Sequence, residues 1–182
     1  MGIKIIDNCC SPDYLDCLKY SASNSENWNM HYQSKSSIDE RFLKLDIINS
    51  GNLLNPYLAG LAMGLLVQIQ QAAGQDLFIP TIYFLGISMK DKHIPDVMHV
   101  DNEEGEPFVR ILGLLNSDWK EEWGGGFFHD ETSNYIKPTS FAIFDGSRPH
   151  MAEEIFTDKK RFAIDFSVFK DQQSIEKLGK RT

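Results

Sequence analysis

The distribution of apolar and polar residues divides the chain into two halves of different character. In the first half, apolar residues recur at the spacing of a helix over residues 12–22 and again over residues 55–74. Ser11, followed by a proline, is typical of a helix N-cap. Residues 58–69 are apolar on nearly all sides, which indicates that the second helix is buried against a sheet.

The second half of the chain contains short runs rich in β-branched and aromatic residues, separated by turn sequences. The predicted strands are residues 79–89, 97–101, 108–116, 126–129, 140–145, 149–156 and 162–169, together with the earlier runs 3–7 and 41–48. Helices followed by many strands predict an α+β fold. In this fold an antiparallel sandwich or jelly roll carries the N-terminal helices on one sheet.

The length of 182 residues suits one domain with a sizeable core. We therefore expect a single domain over residues 1–182, with its core at 79–169 and helical support at 1–78. The charged tail, 170–182, is expected to fray or to form a short surface helix. The polar segment 29–40 is interpreted as a mobile loop, either a lid over a site or an ordinary surface loop.

Composition and charge exclude several classes of function. The net charge of −8 argues against nucleic acid and anionic membranes as partners, because both require a basic surface. The most apolar stretch, residues 58–67, is too short for a transmembrane helix. Three cysteines near one end, Cys9, Cys10 and Cys17, make neither a disulfide framework nor a zinc motif. These features predict a cytoplasmic location and leave the oligomeric state open.

The sequence His99-Val100-Asp101 lies in a predicted strand. Side chains two residues apart on a strand share one face, so the imidazole and the carboxylate can reach a common point. With His150, at the start of another predicted strand, they form the donor set of a two-histidine, one-carboxylate iron site. The alternative for the motif alone is a surface histidine and aspartate brought together by chance.

Arg161 opens the last predicted strand, eleven residues after His150. An arginine can hold a carboxylate by two parallel hydrogen bonds, so an arginine near a metal suggests an acidic co-substrate. The alternative is a solvated surface charge in the run Lys159-Lys160-Arg161.

These residues together resemble the Fe(II)- and 2-oxoglutarate-dependent dioxygenases, and within them the prolyl hydroxylase branch, including the hypoxia-sensing type. The resemblance covers residues 79–169. It rests on the motifs His99-Val100-Asp101-Asn102, Leu115-Asn116 with Trp119, Gly125-Gly126, Lys137-Pro138, Phe144-Asp145, Arg148-Pro149-His150 and Arg161-Phe162-Ala163.

The resemblance implies a cupin-like double-stranded β-helix with Fe(II) held by His99, Asp101 and His150. It implies that Arg161 holds the distal carboxylate of 2-oxoglutarate, and that the enzyme hydroxylates its substrate with O2 and releases succinate and CO2. Ascorbate is a further candidate cofactor. The aspartate at position 101 distinguishes the chain from the similar halogenases, which have a small residue there.

The chain departs from the hypoxia-type pattern in its pocket tyrosines. Gly113 stands where those enzymes have a tyrosine that contacts the co-substrate, and Ser88 or Met89 stands near the other. Different hydroxyl groups must then assist Arg161. Tyr83 is the chosen candidate, and the others are Ser88, Thr139 and Ser167.

The substrate is expected to be a small molecule or a peptide, with peptidyl or free proline first on the resemblance. Two other readings of the sequence stay open. One is a cupin-like metal enzyme that does not use 2-oxoglutarate, and the other is a non-catalytic β-barrel binding module.

Overall fold

The computed structural model describes residues 2–32, 41–74, 77–92 and 96–179 of the chain. The strands within these residues are β1 Lys4–Ile6, β2 Asn29–Tyr32, β3 Arg41–Asn49, β4 Asn52–Leu53, β5 Ile82–Lys90, β6 Phe108–Leu114, β7 Phe127–His129, β8 Thr132–Asn134, β9 Phe141–Phe144, β10 His150–Ala152 and β11 Arg161–Phe169. The α-helices are α1 Pro12–Ser23, α2 Pro56–Ala73 and α3 Gln172–Gly179.

Two antiparallel sheets form the body of the protein. The larger sheet has the strand order β1-β9-β6-β11-β5-β3-β2, with β4 paired to β3. The smaller sheet has the order β10-β7-β8. Single bridges between His99 and His150 and between Gly124 and Ile155 extend the smaller sheet. A cavity lies between the sheets, which is the arrangement of a double-stranded β-helix.

The central strand of the larger sheet, β11, is buried along nearly its whole length because both of its faces are covered. One face packs into the hydrophobic core between the larger sheet and the helices α1 and α2, through Phe162, Ile164, Phe166 and Val168. The opposite face carries Arg161, Ala163, Asp165 and Ser167, of which the first three line the cavity. The strand therefore joins the core to the site.

The two N-terminal helices cover the helix side of the larger sheet. The Ser11 hydroxyl caps α1 by accepting from Tyr14 N at 3.3 Å, and the Asn55 side chain caps α2 by accepting from Leu58 N at 3.1 Å. The Tyr14 hydroxyl donates to Leu61 O at 2.7 Å and ties the helices together. The α2 residues that are buried against the sheet are Leu58, Ala59, Ala62, Leu65, Leu66 and Ile69.

The predicted α+β architecture, a double-stranded β-helix with N-terminal helices packed on one sheet, is confirmed. None of the helices in the described part of the chain has the length and apolar character needed to cross a bilayer.

Three details differ from the sequence prediction. The strand expected at 97–101 is reduced to one bridge, at His99. The strand expected at 149–156 is interrupted after Ala152, with a single bridge at Ile155. The first residues of the expected loop 29–40 form β2, which pairs with β3, and residues 33–40 lie outside the described part of the chain.

Candidate active site

A cavity of about 330 Å³ lies between the two sheets, within the size range of small-molecule sites. The cavity faces of β3, β5, β6 and β11 form one wall, and β7 and β10 contribute to the other. Strand register decides which side chains enter. Across the larger sheet, Arg161 pairs with Lys90, Ala163 with Ser88, and Asp165 with Gly86, so alternate residues of neighbouring strands share the cavity face.

The structure brings His99, Asp101 and His150 together at this cavity. Their ligand atoms all lie within 4.8 Å of one another. His150 Nε2 is 3.1 Å from Asp101 Oδ2, and His99 Nε2 is 3.8 Å from Asp101 Oδ1. The two histidines are joined by backbone hydrogen bonds, from His99 N to His150 O at 3.0 Å and from His150 N to His99 O at 2.9 Å. Two segments fifty residues apart are thus held side by side.

Backbone carbonyls orient both imidazole rings. His99 Nδ1 is 2.7 Å from Val97 O, and His150 Nδ1 is 2.8 Å from Arg148 O. A carbonyl oxygen only accepts, so each Nδ1 donates, and each Nε2 is the atom aimed at the Asp101 carboxylate. Histidines that ligate metals are oriented by outer hydrogen bonds of this kind.

The electrostatics of the three groups are coupled. Burial by itself raises the pKa of Asp101, but the hydrogen bond with His150 and the positive charge of Arg110 outweigh it and bring the pKa to about 2. Burial by itself lowers the pKa of His150, but the hydrogen bond and charge of Asp101 outweigh that effect and raise it above its usual value. Asp101 and His150 therefore each favour the charged form of the other.

The donor set fits a divalent transition metal. Two imidazole nitrogens and one carboxylate, with the cavity beside them, are the ligands of the non-haem Fe(II) facial triad. His150 is 4% exposed and Asp101 is 23% exposed, whereas His99 is 43% exposed. The three groups therefore sit where the cavity opens to solvent.

Arg161 lies in the same cavity as the three candidate ligands. Its side chain is 4% exposed, and its Nε has no hydrogen-bond partner among the described residues. Desolvation lowers the pKa of Arg161 to about 10, opposed by the charge of Asp96. Gly125, in the left-handed region at φ 70°, allows this burial, because a Cβ there would lie 2.9 Å from Arg161 Cδ. The predicted Gly125-Gly126 motif thus has a packing role against the arginine.

A second buried cation stands beside Arg161. Lys90 is 7% exposed, and its Nζ donates to Asp96 Oδ1 at 2.8 Å. Asp96 also accepts from Ala152 N at 2.6 Å, which links the wall of the cavity to β10. Burial lowers the pKa of Lys90, and the charge of Asp96 opposes the shift. This part of the cavity therefore holds two cations, Arg161 and Lys90, and one carboxylate, Asp96.

A third charged group, Arg110 with its partners, lies on the other side of Asp101. Arg110 Nε is 3.0 Å from Asp101 Oδ2. Its two terminal nitrogens donate to Asp165 Oδ2 and to Ser167 Oγ. Desolvation raises the pKa of Asp165; the Arg110 charge opposes that shift, and the Asp101 charge adds to it. Gly146 makes room for this arrangement, since a Cβ there would lie 2.7 Å from Arg110 Cγ.

Solved structures share this architecture. A prolyl-4-hydroxylase from Pseudomonas putida superimposes with a TM-score of 0.60 and 16% identity, covering 93% of each chain. A member of the 2OG-Fe(II) oxygenase family from Burkholderia pseudomallei superimposes with a TM-score of 0.70 and 11% identity, covering 93% of this chain and 86% of that one.

The fold is that of the 2-oxoglutarate- and Fe(II)-dependent oxygenases.

HygX from Streptomyces hygroscopicus, solved with nickel, 2-oxoglutarate and hygromycin B bound, has the same fold. Its TM-score is 0.66 at 10% identity, with 94% of this chain and 84% of that chain covered. No protein-family model matches the sequence, and the comparison with curated proteins gave no match. The likeness is therefore one of fold, and the chemistry must be argued from the site.

The position of Tyr83 does not support the role predicted for it. Its ring stacks on Phe108, with ring centroids 4.4 Å apart, and packs edge-on against Phe169. Among the described residues, those lining the main cavity include its neighbour Phe84 but not Tyr83, which borders a smaller adjacent cavity. Tyr83 therefore does not share a cavity with Arg161.

The other hydroxyl candidates divide by position. Ser88 lines the main cavity on the strand next to Arg161. Ser167 is occupied by Arg110. Thr139 lies in the turn before β9, where its carbonyl accepts from Cys9 N at 2.8 Å. Ser88 is the candidate best placed to assist Arg161.

The comparison of Gly113 with a cavity tyrosine was also wrong. Gly113 pairs with Ile164, a core residue on the helix side, and a Cβ there would lie 2.3 Å from Phe141 Cε1. The cavity positions of β6 are Arg110 and Leu112. An apolar side chain, Leu112, therefore stands on the cavity face beside Gly113.

The sequence interpretation missed Lys90, Arg110 and Asp165. The sequence did contain a signal for Asp165, because Asp165 is four residues from Arg161 on one strand and must share its face. Lys90 and Arg110 carried no comparable signal, since their faces depend on the register of β5 and β6 against β11.

Proposed function

We propose that this protein is an Fe(II)- and 2-oxoglutarate-dependent oxygenase that hydroxylates an organic substrate with O2 and releases succinate and CO2. One observation carries the proposal. Arg161, a buried guanidinium with an unpartnered Nε, lies in the same cavity as His99, Asp101 and His150. Asp96 lies nearby but makes no hydrogen bond to Arg161; a buried cation without a hydrogen-bonded counter-charge is unfavourable, and a bound carboxylate would remove that cost. A dicarboxylate that also reaches the metal meets both requirements.

The three candidate ligands have separate tasks. His99 and His150 would present Nε2 to the metal, with their rings held by the carbonyls of Val97 and Arg148. Asp101 would supply the negative charge. Bound Fe(II) supplies the redox chemistry that couples oxidation of the co-substrate to oxidation of the substrate. A proton on His150 Nε2 would have to leave before that nitrogen could hold the metal.

Arg161 would bind the distal carboxylate of 2-oxoglutarate. Lys90 adds positive charge there and is itself held by Asp96. Ser88 offers a hydroxyl in the same cavity. The burial of Arg161 excludes water, which strengthens a charge-assisted bond to the co-substrate.

The substrate class is open between peptides and small molecules. One structural relative is a prolyl hydroxylase from Trichoplax adhaerens in complex with a hypoxia inducible factor peptide fragment. Another, HygX, is solved with hygromycin B bound. Proline, peptidyl or free, is the substrate suggested by the sequence resemblance. O2 is the oxidant, and ascorbate is a candidate reductant that keeps the metal in its ferrous state.

The first test is conversion of 2-oxoglutarate to succinate by the Fe(II)-loaded protein with and without O2. We expect O2-dependent succinate formation, and its loss in His150→Ala together with weaker Mn(II) binding measured by titration calorimetry. Asp118→Asn is the matched control, because Asp118 pairs with Lys159 on the surface.

Two results would identify the other readings of the sequence. Metal binding without succinate formation, even with a broad substrate panel, would indicate a metal enzyme that does not use 2-oxoglutarate. Neither metal binding nor turnover in a folded protein would indicate a binding module.

A further inference from the structure

Arg110 and Asp165 line the cavity on the side of the proposed metal site that faces away from Arg161. Arg110 is 8% exposed, and all of its side-chain nitrogens face partners on the protein, namely Asp101, Asp165 and Ser167. The charge of this guanidinium is matched by two carboxylates, Asp101 and Asp165, which weakens its attraction for an anionic group of a substrate. The carboxylate of Asp165 also lines the cavity.

Asp165 has unused capacity to accept hydrogen bonds. Its side chain is 26% exposed and lines the cavity. Arg110 engages Oδ2, whereas Oδ1 is buried and makes no hydrogen bond within the described part of the chain. An aspartate carboxyl rotates in a broad well about χ2, so a rotation can turn Oδ1 toward the cavity. An ionised carboxylate offers about four acceptor sites, and a poorly satisfied one is costly in a cavity from which water is partly excluded.

The strand neighbours of Asp165 offer no side-chain hydrogen-bond donor to its carboxylate. On β5 the neighbour is Gly86, over which the ring of Phe84 packs, and on β6 it is Leu112. Phe84 covers the adjoining wall, with the guanidinium carbon of Arg110 5.5 Å from the ring centroid. The nearest part of the cavity is therefore polar at one point and apolar around it.

The cavity charges are otherwise matched. Lys90 pairs with Asp96, and Lys44 lies 3.6 Å from Asp46. Arg110 serves Asp165 and Asp101, and Arg161 is assigned to the co-substrate by the proposed function. The cavity therefore does not call for an anionic substrate group.

We infer that Asp165 is the substrate-anchoring residue of this oxygenase and that it accepts a hydrogen bond from an O–H or N–H group of a small polar substrate. The inference rests on the proposed function and sharpens its substrate. The guanidinium of Arg110 separates Asp165 from Asp101, so a group held by Asp165 is next to the metal site. The ring and the nitrogen of a prolyl residue inside a peptide cannot donate this hydrogen bond, since the nitrogen has no N–H and the ring is apolar.

The test compares compounds that differ in the hydrogen-bond donors they carry. N-acetyl-L-proline dimethylamide has no N–H or O–H group, whereas free L-proline, the other amino acids and glucosamine carry ammonium groups, and hexoses carry hydroxyl groups only. Binding to the Mn(II)- and 2-oxoglutarate-loaded protein is measured by calorimetry, and addition of one oxygen by mass spectrometry with Fe(II). Comparison of the compounds that carry ammonium groups with those that carry only hydroxyl groups shows which hydrogen-bond donor the site binds.

The deciding variant is Asp165→Asn. Its amide oxygen replaces the carboxylate toward Arg110, so its NH2 group faces the cavity and turns an acceptor into a donor. We expect the affinity for the donor-bearing compound that binds to fall by about 5- to 150-fold, with the matching rise in KM. Asp118→Asn, the same change on the surface, should leave both constants unaltered.

Three results would overturn the inference. They are equal binding by wild type and Asp165→Asn, binding of the donor-free proline derivative as tight as that of donor-bearing compounds, and no binding by either donor-bearing arm. Uncoupled conversion of 2-oxoglutarate to succinate by the wild type separates the two proposals. Its presence keeps the oxygenase assignment when the substrate inference fails, and its absence removes the assignment itself.

Discussion

The Arg110–Asp165 ion pair is expected to be energetically coupled, and a double-mutant cycle can measure the coupling. Arg110→Met keeps the bulk of the side chain but leaves Asp165 without its cation. Removing one partner of a buried pair costs about 3–5 kcal/mol. The side chains are 10% and 26% exposed, so cavity water screens the remaining charge and the lower end, about 3 kcal/mol, applies.

The two other corners of the cycle follow from the contacts. Asp165→Val alone leaves Arg110 bound to Asp101 and Ser167, so its cost is about 1–2 kcal/mol. In the double variant no unpaired carboxylate remains at position 165. The coupling energy is therefore expected to be about 2 kcal/mol.

The assay is urea unfolding of the metal-free proteins at pH 7.5, followed by tryptophan fluorescence, with thermal unfolding in parallel. A loss of about 3 kcal/mol corresponds to a Tm lowered by about 6–12 °C for a domain of this size. The Arg110→Met defect should also shrink as the pH falls. The unpaired Asp165 carboxylate then takes up a proton more readily in the folded state than in the unfolded chain.

The surface pair Asp118–Lys159 is the control cycle. Its side chains are about half exposed, so its coupling should not exceed about 1 kcal/mol. A coupling energy at Arg110–Asp165 no larger than that of the control would refute the reasoning. So would an Arg110→Met defect that does not change with pH.

Three further predictions concern the co-substrate, the metal and the core. Arg161→Ala should weaken 2-oxoglutarate binding by about 2–5 kcal/mol while Mn(II) affinity changes little, because the guanidinium lies apart from the metal ligands. Unchanged affinity for 2-oxoglutarate would indicate that Lys90 binds the distal carboxylate instead. Because Asp101 raises the pKa of His150 above its usual value, Mn(II) binding at pH 6.5 should release protons, as measured by calorimetry in buffers of different ionisation enthalpy. The affinity should rise with pH until that raised pKa is passed, and absence of proton release would contradict the coupling. Gly113→Ala should lower the free energy of unfolding by about 1–3 kcal/mol, because a Cβ there meets the fully buried ring of Phe141. The control is Gly60→Ala, which places a Cβ in open space on a helix and should be neutral or stabilising. Equal effects of the two substitutions would show that the ring of Phe141 moves aside.

Local features of the sequence were enough to predict the helices and the candidate ligands. Ser11 and Asn55 cap the helices through hydrogen bonds made within three residues, so chain neighbours alone specify them. His99 and Asp101 are close in the chain, so their side chains lie at the same site although the strand predicted at 97–101 is reduced to a single bridge. His150 was found from the combination of motifs, and its pairing with His99 was not visible in the chain.

Tertiary structure alone decided the charged wall of the cavity. Arg110 and Asp165 are 55 residues apart, and their contact depends on the register between β6 and β11. Gly113 was placed on the wrong face because a shift of one residue exchanges the two faces of a strand. The sequence by itself determined the helices, most of the strands and the types of the candidate metal ligands, because these depend on residues close together in the chain. Which charges meet in the cavity was decided by strand pairing, because pairing joins distant residues and selects the face each one presents.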